Sequence, residues 1–264
     1  MLQEIIEKSY IKNMQKLETY LKQNKRPKIA IINTNLKDEP TQRYIRNKIK
    51  KCNEYNISTI VVEPKNREEL INEITKLNKD NSITSIILQY PLSSNIISKN
   101  TQEFFDLIDP AKDIDKLNSC WYYSKNPEDL PLTSNAIYEM IKELKHNKVL
   151  FYGNGITTNR RLFLKMFDEG QKDCRIINSK TPMNSKKELI EWSEIIVSAI
   201  GKKDSLNCEN KIIICPSIIK NEDGTFSSDV VDPKKNQTHK VIGGIGKLTV
   251  SKLLLRAYEL CNSL

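Results

Sequence analysis

Four groups of residues in this chain have the types and spacing to do chemistry. Tyr44 and Lys48 lie four apart in a run with helical spacing, so both project from one face. Gln89 closes the apolar run Ile86-Ile87-Leu88 and precedes Tyr90-Pro91-Leu92. Pro91 cannot donate to a sheet ladder, so Gln89 sits where a buried strand ends and a loop begins. Lys112-Asp113-Ile114-Asp115 follows Pro110, and in an extended chain its two carboxylates face the same side. Gly153-Asn154-Gly155 lies between a strand pattern and a helical one, where glycines let a phosphate approach a helix N-terminus.

Each group taken alone has a bland alternative. Tyr44 and Lys48 fit a solvated surface pair, and residues 112–115 fit a polar turn. The third glycine of a dinucleotide fingerprint would fall at Thr158 and is missing. Gln89 is either a satisfied polar plug or a group aimed at a ligand, because ligands bind at the carboxyl edge of open α/β sheets. A lysine held in a partly desolvated site loses basicity and handles protons near neutrality. A glutamine beside it accepts from the ammonium and still donates to a water.

The elements that must position these groups follow from hydrophobic periodicity. Residues 2–23, 40–55 and 67–78 read as helices, and 28–33, 57–62 and 84–89 as strands between them. That order predicts a parallel, layered sheet. A short helix over 99–107 and a polar, Pro-containing connection over 108–131 follow, and Thr133 is placed as the N-cap of a helix reaching Leu144. A second α/β run then begins. Strands are expected at 148–152, 175–178, 194–200 and 211–215, and helices at 159–168 and 186–192. Residues 243–246 are expected to turn before a closing helix at 248–261. The fold class is α/β, with two α/β lobes, a cleft between them as a natural ligand site, and a Rossmann-like second lobe. The division is placed at 1–135 with closing helix 247–264, against 136–246.

Composition removes several function classes. The chain has 264 residues, 38% hydrophobic and 28% charged, as in an ordinary globular protein. No apolar run approaches a membrane span, and the acidic start Met1-Leu2-Gln3-Glu4 does not read as a secretory signal, so a cytoplasmic location is the expectation. The six cysteines form no Cys-x-x-Cys pair and there are only two histidines, so zinc-ligand spacing is absent and a Ser-His-Asp hydrolase is disfavoured. The net charge of +9 raises a basic nucleic-acid-binding protein as a different-class alternative, but the lysines are scattered and form no basic-aromatic patch. No nucleic-acid or membrane partner is expected.

The combination of motifs is far more specific than any part. In order, the chain carries Tyr44-x-x-x-Lys48, Leu88-Gln89-Tyr90-Pro91-Leu92, Pro110-x-Lys112-Asp113-Ile114-Asp115 and Pro131-Leu132-Thr133. The glycine turn, Ser179-Lys180-Thr181, residues 194–202 ending Ile200-Gly201-Lys202, and Gly243-Gly244-Ile245-Gly246-x-Leu248-Thr249 follow. This series resembles the bifunctional methylenetetrahydrofolate dehydrogenase/cyclohydrolase family from the first helix to the last. The resemblance implies oxidation of 5,10-methylenetetrahydrofolate with NADP or NAD, then hydrolysis of the methenyl product to 10-formyltetrahydrofolate. It implies that Lys48 is the catalytic lysine, that Gln89 holds it, that Tyr44 stacks beside the aminobenzoyl ring and that Asp115 binds the pterin. Pro91 and Gly244 join the folate site by the same resemblance. Gly153, Asn154, Gly155, Ser179 and Ile218 join the dinucleotide site. A homodimer is also implied.

The departures from the family pattern cluster on the nucleotide side. Its turn Gly-Arg-Ser-x-x-Val-Gly-x-Pro becomes Gly153-Asn154-Gly155-Ile156-Thr157-Thr158-Asn159-Arg160-Arg161. Loss of that arginine removes a bidentate partner for a cofactor phosphate, with Arg160 or Arg161 as candidate replacements. Asp-Val-Gly-Ile becomes Cys215-Pro216-Ser217-Ile218, and the added Ser217 side chain is expected to crowd the cofactor. The Pro-Gly-Gly-Val-Gly-Pro turn becomes Ile242-Gly243-Gly244-Ile245-Gly246-Lys247, and the glycine after the Lys-Asp-x-Asp motif is Lys116. Three readings follow: a bifunctional enzyme with a remodelled cofactor loop, a cyclohydrolase with weak or lost hydride transfer, and a non-catalytic folate-binding paralogue. The retained Tyr-Lys-Gln-Asp set argues against the third; the first is adopted, with the second as its alternative.

Overall fold

The computed structural model describes residues 2–263 apart from 98–99, 146, 172, 204, 218, 222, 232–238 and 243. In chain order the first elements are α1 (Leu2–Leu21), β1 (Lys28–Ile32), α2 (Glu39–Glu54), β2 (Ser58–Val62), α3 (Arg67–Lys79), β3 (Ser85–Leu88) and α4 (Gln102–Asp106). Two 3-10 turns, Ser119–Tyr123 and Pro127–Asp129, precede α5 (Leu132–Leu144). Then come β4 (Val149–Tyr152), α6 (Asn159–Asp168), β5 (Cys174–Ile177), α7 (Met183–Trp192), β6 (Ile195–Ser198) and β7 (Ile212–Cys215). The chain closes with β8 (Ile219–Lys220), β9 (Phe226–Ser227), β10 (His239–Ile242) and α8 (Gly244–Ser263). None of the described helices is long and apolar enough to cross a membrane.

The chain divides into two compact units. One comprises residues 11–124 and 250–264 and holds a three-stranded parallel sheet, ordered β2-β1-β3. β1 and β3 are almost wholly buried, which is why they read as continuous apolar runs without alternation. Helix α2 starts cleanly because Asp38 accepts from the Thr41 backbone N–H at 3.0 Å, while Pro40 occupies the first turn, where its missing N–H costs nothing. From α8, Tyr258 donates to the Tyr55 carbonyl at 2.9 Å and Arg256 to the Ile114 carbonyl at 2.9 Å.

The other unit comprises residues 1–10 and 125–249, with a five-stranded all-parallel sheet ordered β10-β7-β6-β4-β5. Leu2 and Ile6 of α1 pack into this unit's core with Val149, Phe151, Val197 and Ile214. Apolar packing therefore places the first ten residues here, and the division falls at 124/125 and 249/250.

Several elements differ from the sequence reading. Residues 112–115 are not extended but form tight turns around a single bridge from Asp113 to Ile86. Thr133 is not an N-cap: α5 begins at Leu132 behind Pro131, and no side chain caps it. Helix α7 begins at Met183, three residues early, directly after Pro182, whose fixed φ suits a helix start. Gly244-Ile245-Gly246 is not a turn but the first turn of α8. Ile245 and Leu248 are buried there at helical spacing, and the position where the family has its second proline is Lys247, so nothing breaks the helix. The short hairpin β8-β9 and strand β10 carry too weak a pattern to have been read.

Candidate active site

At the carboxyl edge of the three-stranded sheet, the Gln89 N–H donates to the Ile32 carbonyl at 2.9 Å, carrying the ladder one residue past β3. Helix α2 buries Thr41, Ile45, Lys48 and Cys52, the inward stripe of an amphipathic helix. Lys48 lies on that stripe at 6% exposure, and so does not fit the solvated-pair alternative. Its Nζ donates to Gln89 Oε1 at 3.2 Å, and Gln89 Nε2 donates to the Tyr90 carbonyl at 2.7 Å. Both ends of the amide are thus engaged, which fixes its orientation. The Tyr44 ring, one turn earlier, has its centroid 4.8 Å from Lys48 Nζ and stays 39% exposed. One turn later, burial pushes the Cys52 thiol up to about 11, so it stays neutral and offers the ammonium no counter-charge. Pro91 is exposed just beyond this edge.

The Lys-Asp-x-Asp segment runs beside β3, with the Ile86 N–H donating to the Lys112 carbonyl at 2.7 Å. Two of its charged residues serve the fold. Lys112 Nζ donates to the carbonyls of Leu77, Asn78 and Asp80 at 2.8 to 3.0 Å, closing the C-terminal end of α3. Asp113 is buried and accepts from the Asn118 N–H at 2.8 Å. Burial pushes its carboxyl up to about 6; nearby Asp115 adds to the shift, while Lys116 and Arg256 oppose it. Of residues 112–115, only Asp115 is half-buried and open to a ligand.

In the five-stranded sheet the strand order reverses between β4 and β6, the position at which doubly wound folds bind dinucleotides. Gly153 ends β4 with φ +102°, and a Cβ there would lie 2.4 Å from the Ala199 carbonyl oxygen. Only glycine fits, because the Ala199 backbone takes the place of a side chain there, which lets the ends of β4 and β6 approach closely at the switch point. Asn159 opens α6 fully buried, its Nδ2 donating to the carbonyls of Tyr152, Gly153 and Val197 at 3.0 to 3.1 Å. It ties the ends of β4 and β6 together. Arg160 Nε donates to Asn154 Oδ1 at 3.2 Å, which places this guanidinium at the glycine turn. Arg161 is buried, with a long contact of 3.4 Å to the Asp129 carbonyl, so Arg160 is the better replacement for the family's arginine.

Asp229 organises the loop after β6. This buried carboxylate accepts from Ser198 Oγ at 3.0 Å, from the N–H groups of Ile200, Gly201 and Lys202 at 2.8 to 3.1 Å, and from Ser217 Oγ at 3.1 Å. The Ser217 hydroxyl expected to crowd the cofactor is therefore turned onto Asp229. Sequence reasoning missed Asp229, whose only signal is a lone carboxylate between Ser228 and Val230. Ser179 is exposed in the turn after β5, where the Asn178 N–H donates to Thr181 Oγ1 at 3.1 Å. Gly244 opens α8, and Ile218 lies outside the described residues.

A buried ammonium–amide pair at one parallel sheet edge and a required glycine at the switch point of another mark a two-unit α/β protein with a Rossmann-like second sheet. Residues 2–115 match the family model described as tetrahydrofolate dehydrogenase/cyclohydrolase, catalytic domain. The bifunctional protein FolD of Mycoplasma mycoides subsp. mycoides SC is 29% identical over 264 residues, covering 92% of this chain and 89% of that protein. The Campylobacter concisus protein of the same name is 29% identical, covering 86% and 84%. In fold, the chain superposes on the Campylobacter jejuni FolD methylenetetrahydrofolate dehydrogenase/cyclohydrolase with a TM-score of 0.82 at 20% identity, covering 99% of this chain and 97% of that one. The Trypanosoma brucei FolD, solved with NADP cofactor and inhibitor, gives 0.79 at 22% identity, covering 99% and 95%. Over residues 2–115 the chain matches the tetrahydrofolate dehydrogenase/cyclohydrolase catalytic-domain model, and along most of its length it is similar to bifunctional FolD proteins.

Proposed function

We propose that this protein acts in one-carbon folate metabolism, oxidising 5,10-methylenetetrahydrofolate with a nicotinamide dinucleotide and hydrolysing the methenyl product to 10-formyltetrahydrofolate. The observation that carries this reading is the buried Lys48–Gln89 pair beneath a half-exposed Tyr44, within the segment that matches the family's catalytic domain.

Lys48 is the proton-handling group. Its ammonium gives one hydrogen to Gln89 and keeps two for substrate and water. Gln89, anchored through Tyr90, holds that ammonium in place. Tyr44 presents a ring face against which a flat aromatic group stacks. Asp115 accepts from the amino edge of the pterin. In the hydrolytic half-reaction, the water oxygen bonds to the methenyl carbon, the bond from that carbon to N5 breaks, and one proton is released. Lys48 relays protons between the water and N5.

The dinucleotide, when bound, accepts the hydride. It would lie at the switch point, where Gly153 lets the ends of β4 and β6 close together and Asp229 holds the neighbouring loop through its backbone N–H groups. Arg160 supplies a cation at the turn. With the family's own arginine replaced by Asn154, discrimination between NADP and NAD is weak in this reading. A homodimer and a cytoplasmic location extend the proposal by analogy with the family.

Substitution Lys48→Met tests the reading. Methenyltetrahydrofolate hydrolysis is expected to vanish while binding of a stable reduced folate persists. Hydrolysis at the wild-type rate contradicts the assignment.

A further inference from the structure

We propose that Asn33 is a further substrate-contacting residue, donating from its side-chain amide to an acceptor atom of the bound folate; the proposal rests on the folate reading above. Asn33 follows β1 and is 1% exposed. Its backbone N–H donates to the Val62 carbonyl at 2.9 Å, which keeps it in strand alignment beyond the end of β1. Its Oδ1 accepts from the Asn35 N–H at 3.1 Å, so the two ends of the amide are distinguished. Its Nδ2 is buried and has no hydrogen-bond partner.

The place of that unmet donor gives it meaning. Ile32 pairs with Leu88 in the parallel ladder, so Asn33 is next in register with Gln89. Residues in register on adjacent parallel strands project to the same face. Lys48 meets Gln89 on that face. The unpartnered amide therefore belongs to the same sheet edge as the ammonium–amide pair. Burying a donor without a partner is costly, and one beside an ammonium–amide pair at a sheet edge is met when a ligand brings an acceptor to it. A folate carries the matching groups, a ring carbonyl and ring nitrogens, which accept hydrogen bonds from such an amide.

Titration calorimetry with 5-formyltetrahydrofolate tests the proposal on the wild type, Asn33→Leu and Asn33→Asp. Leucine removes the whole amide at similar size. Aspartate keeps an acceptor for Asn35 while removing the donor, and so covers the case in which leucine fails to fold. Loss of one hydrogen bond is expected to weaken folate binding about 5- to 10-fold in each folded variant, with dinucleotide binding unchanged. The ligand-free melting temperature of Asn33→Leu is expected to stay close to that of the wild type, because removal of the unmet donor offsets loss of the acceptor for the Asn35 N–H. Folate affinity within about twofold of the wild type overturns the proposal. So does a loss of affinity that only tracks a lower melting temperature. No folate binding by the wild type sinks the functional reading itself.

Discussion

The two candidate sites, one at each sheet edge, are built from different materials. At the edge of β2-β1-β3, the chemistry sits in side chains: an ammonium, an amide and a phenol ring in mutual contact. At the edge between β4 and β6, the shape sits in backbone: a glycine that cannot carry a Cβ, and a loop held by one buried carboxylate that takes three of its N–H groups. A side-chain site is broken by changing a residue type. A backbone site tolerates changes of type wherever the hydrogen bonds are tied off again. Ser217 in place of a family glycine is absorbed in this way, and Asn159 in place of another ties β4 to β6 through its Nδ2. The nucleotide edge therefore looks more eroded in sequence than it is in structure.

This contrast can be broken from either side. The largest effect is expected from Lys48→Met, which removes the proton-handling group and should lower methenyl hydrolysis by about 10²- to 10⁴-fold in a single-turnover assay. At the other edge, Gly153→Ala forces a Cβ to within 2.4 Å of a backbone oxygen at φ +102°. It is expected to cost about 3 kcal/mol and to abolish dinucleotide binding, read by thermal denaturation and by titration with NADP. Folate binding should survive in that variant, and its loss would mean the two edges are not separable.

Asp113 makes a smaller and pH-dependent contribution. Its carboxyl is raised from an ordinary value near 3.8 to about 6, so the folded state holds the proton more tightly than the unfolded chain. The stabilisation is fully present below about pH 4 and is lost as the pH rises through 6, with a limit of about 3 kcal/mol. An asparagine in its place would still accept from the Asn118 N–H, so Asp113→Asn is expected to flatten the difference in stability between pH 4 and pH 7. It should also be more stable than the wild type at pH 8. An unchanged pH profile in denaturant titrations would remove Asp113 from the account. The smallest effect is expected from Gly155→Ala, whose Cβ would meet only the movable Thr158 Oγ1 at 3.3 Å. It should shift stability by less than about 0.5 kcal/mol, separating the required glycine of the turn from the dispensable one.

What was legible in the sequence follows the same division. The helices and strands with strong periodicity were readable; spacing put Tyr44 and Lys48 on one helix face and Gln89 at a strand end, but only the ordered set of motifs joined them into one site. Residues 112–115 take the polar-turn alternative, because Lys112 is drawn onto carbonyls of α3 more than thirty residues back and Asp113 onto the nearby Asn118 N–H. The start of α8 was hidden because glycines read as turns unless the burial of Ile245 and Leu248 is known. Asp229 was illegible because its donors come from residues 12 to 31 positions away in the chain. Asn33 gave no signal either, since an unmet hydrogen bond exists only in three dimensions.

The most direct test of the central claim, that the remodelled nucleotide edge still works, is turnover of 5,10-methylenetetrahydrofolate by the wild-type protein with NAD and NADP side by side. Turnover is expected with both, with kcat/KM values within about tenfold of each other, as loss of one charged phosphate contact implies. Methenyl hydrolysis persisting with no turnover by either dinucleotide would contradict the claim and leave a cyclohydrolase alone.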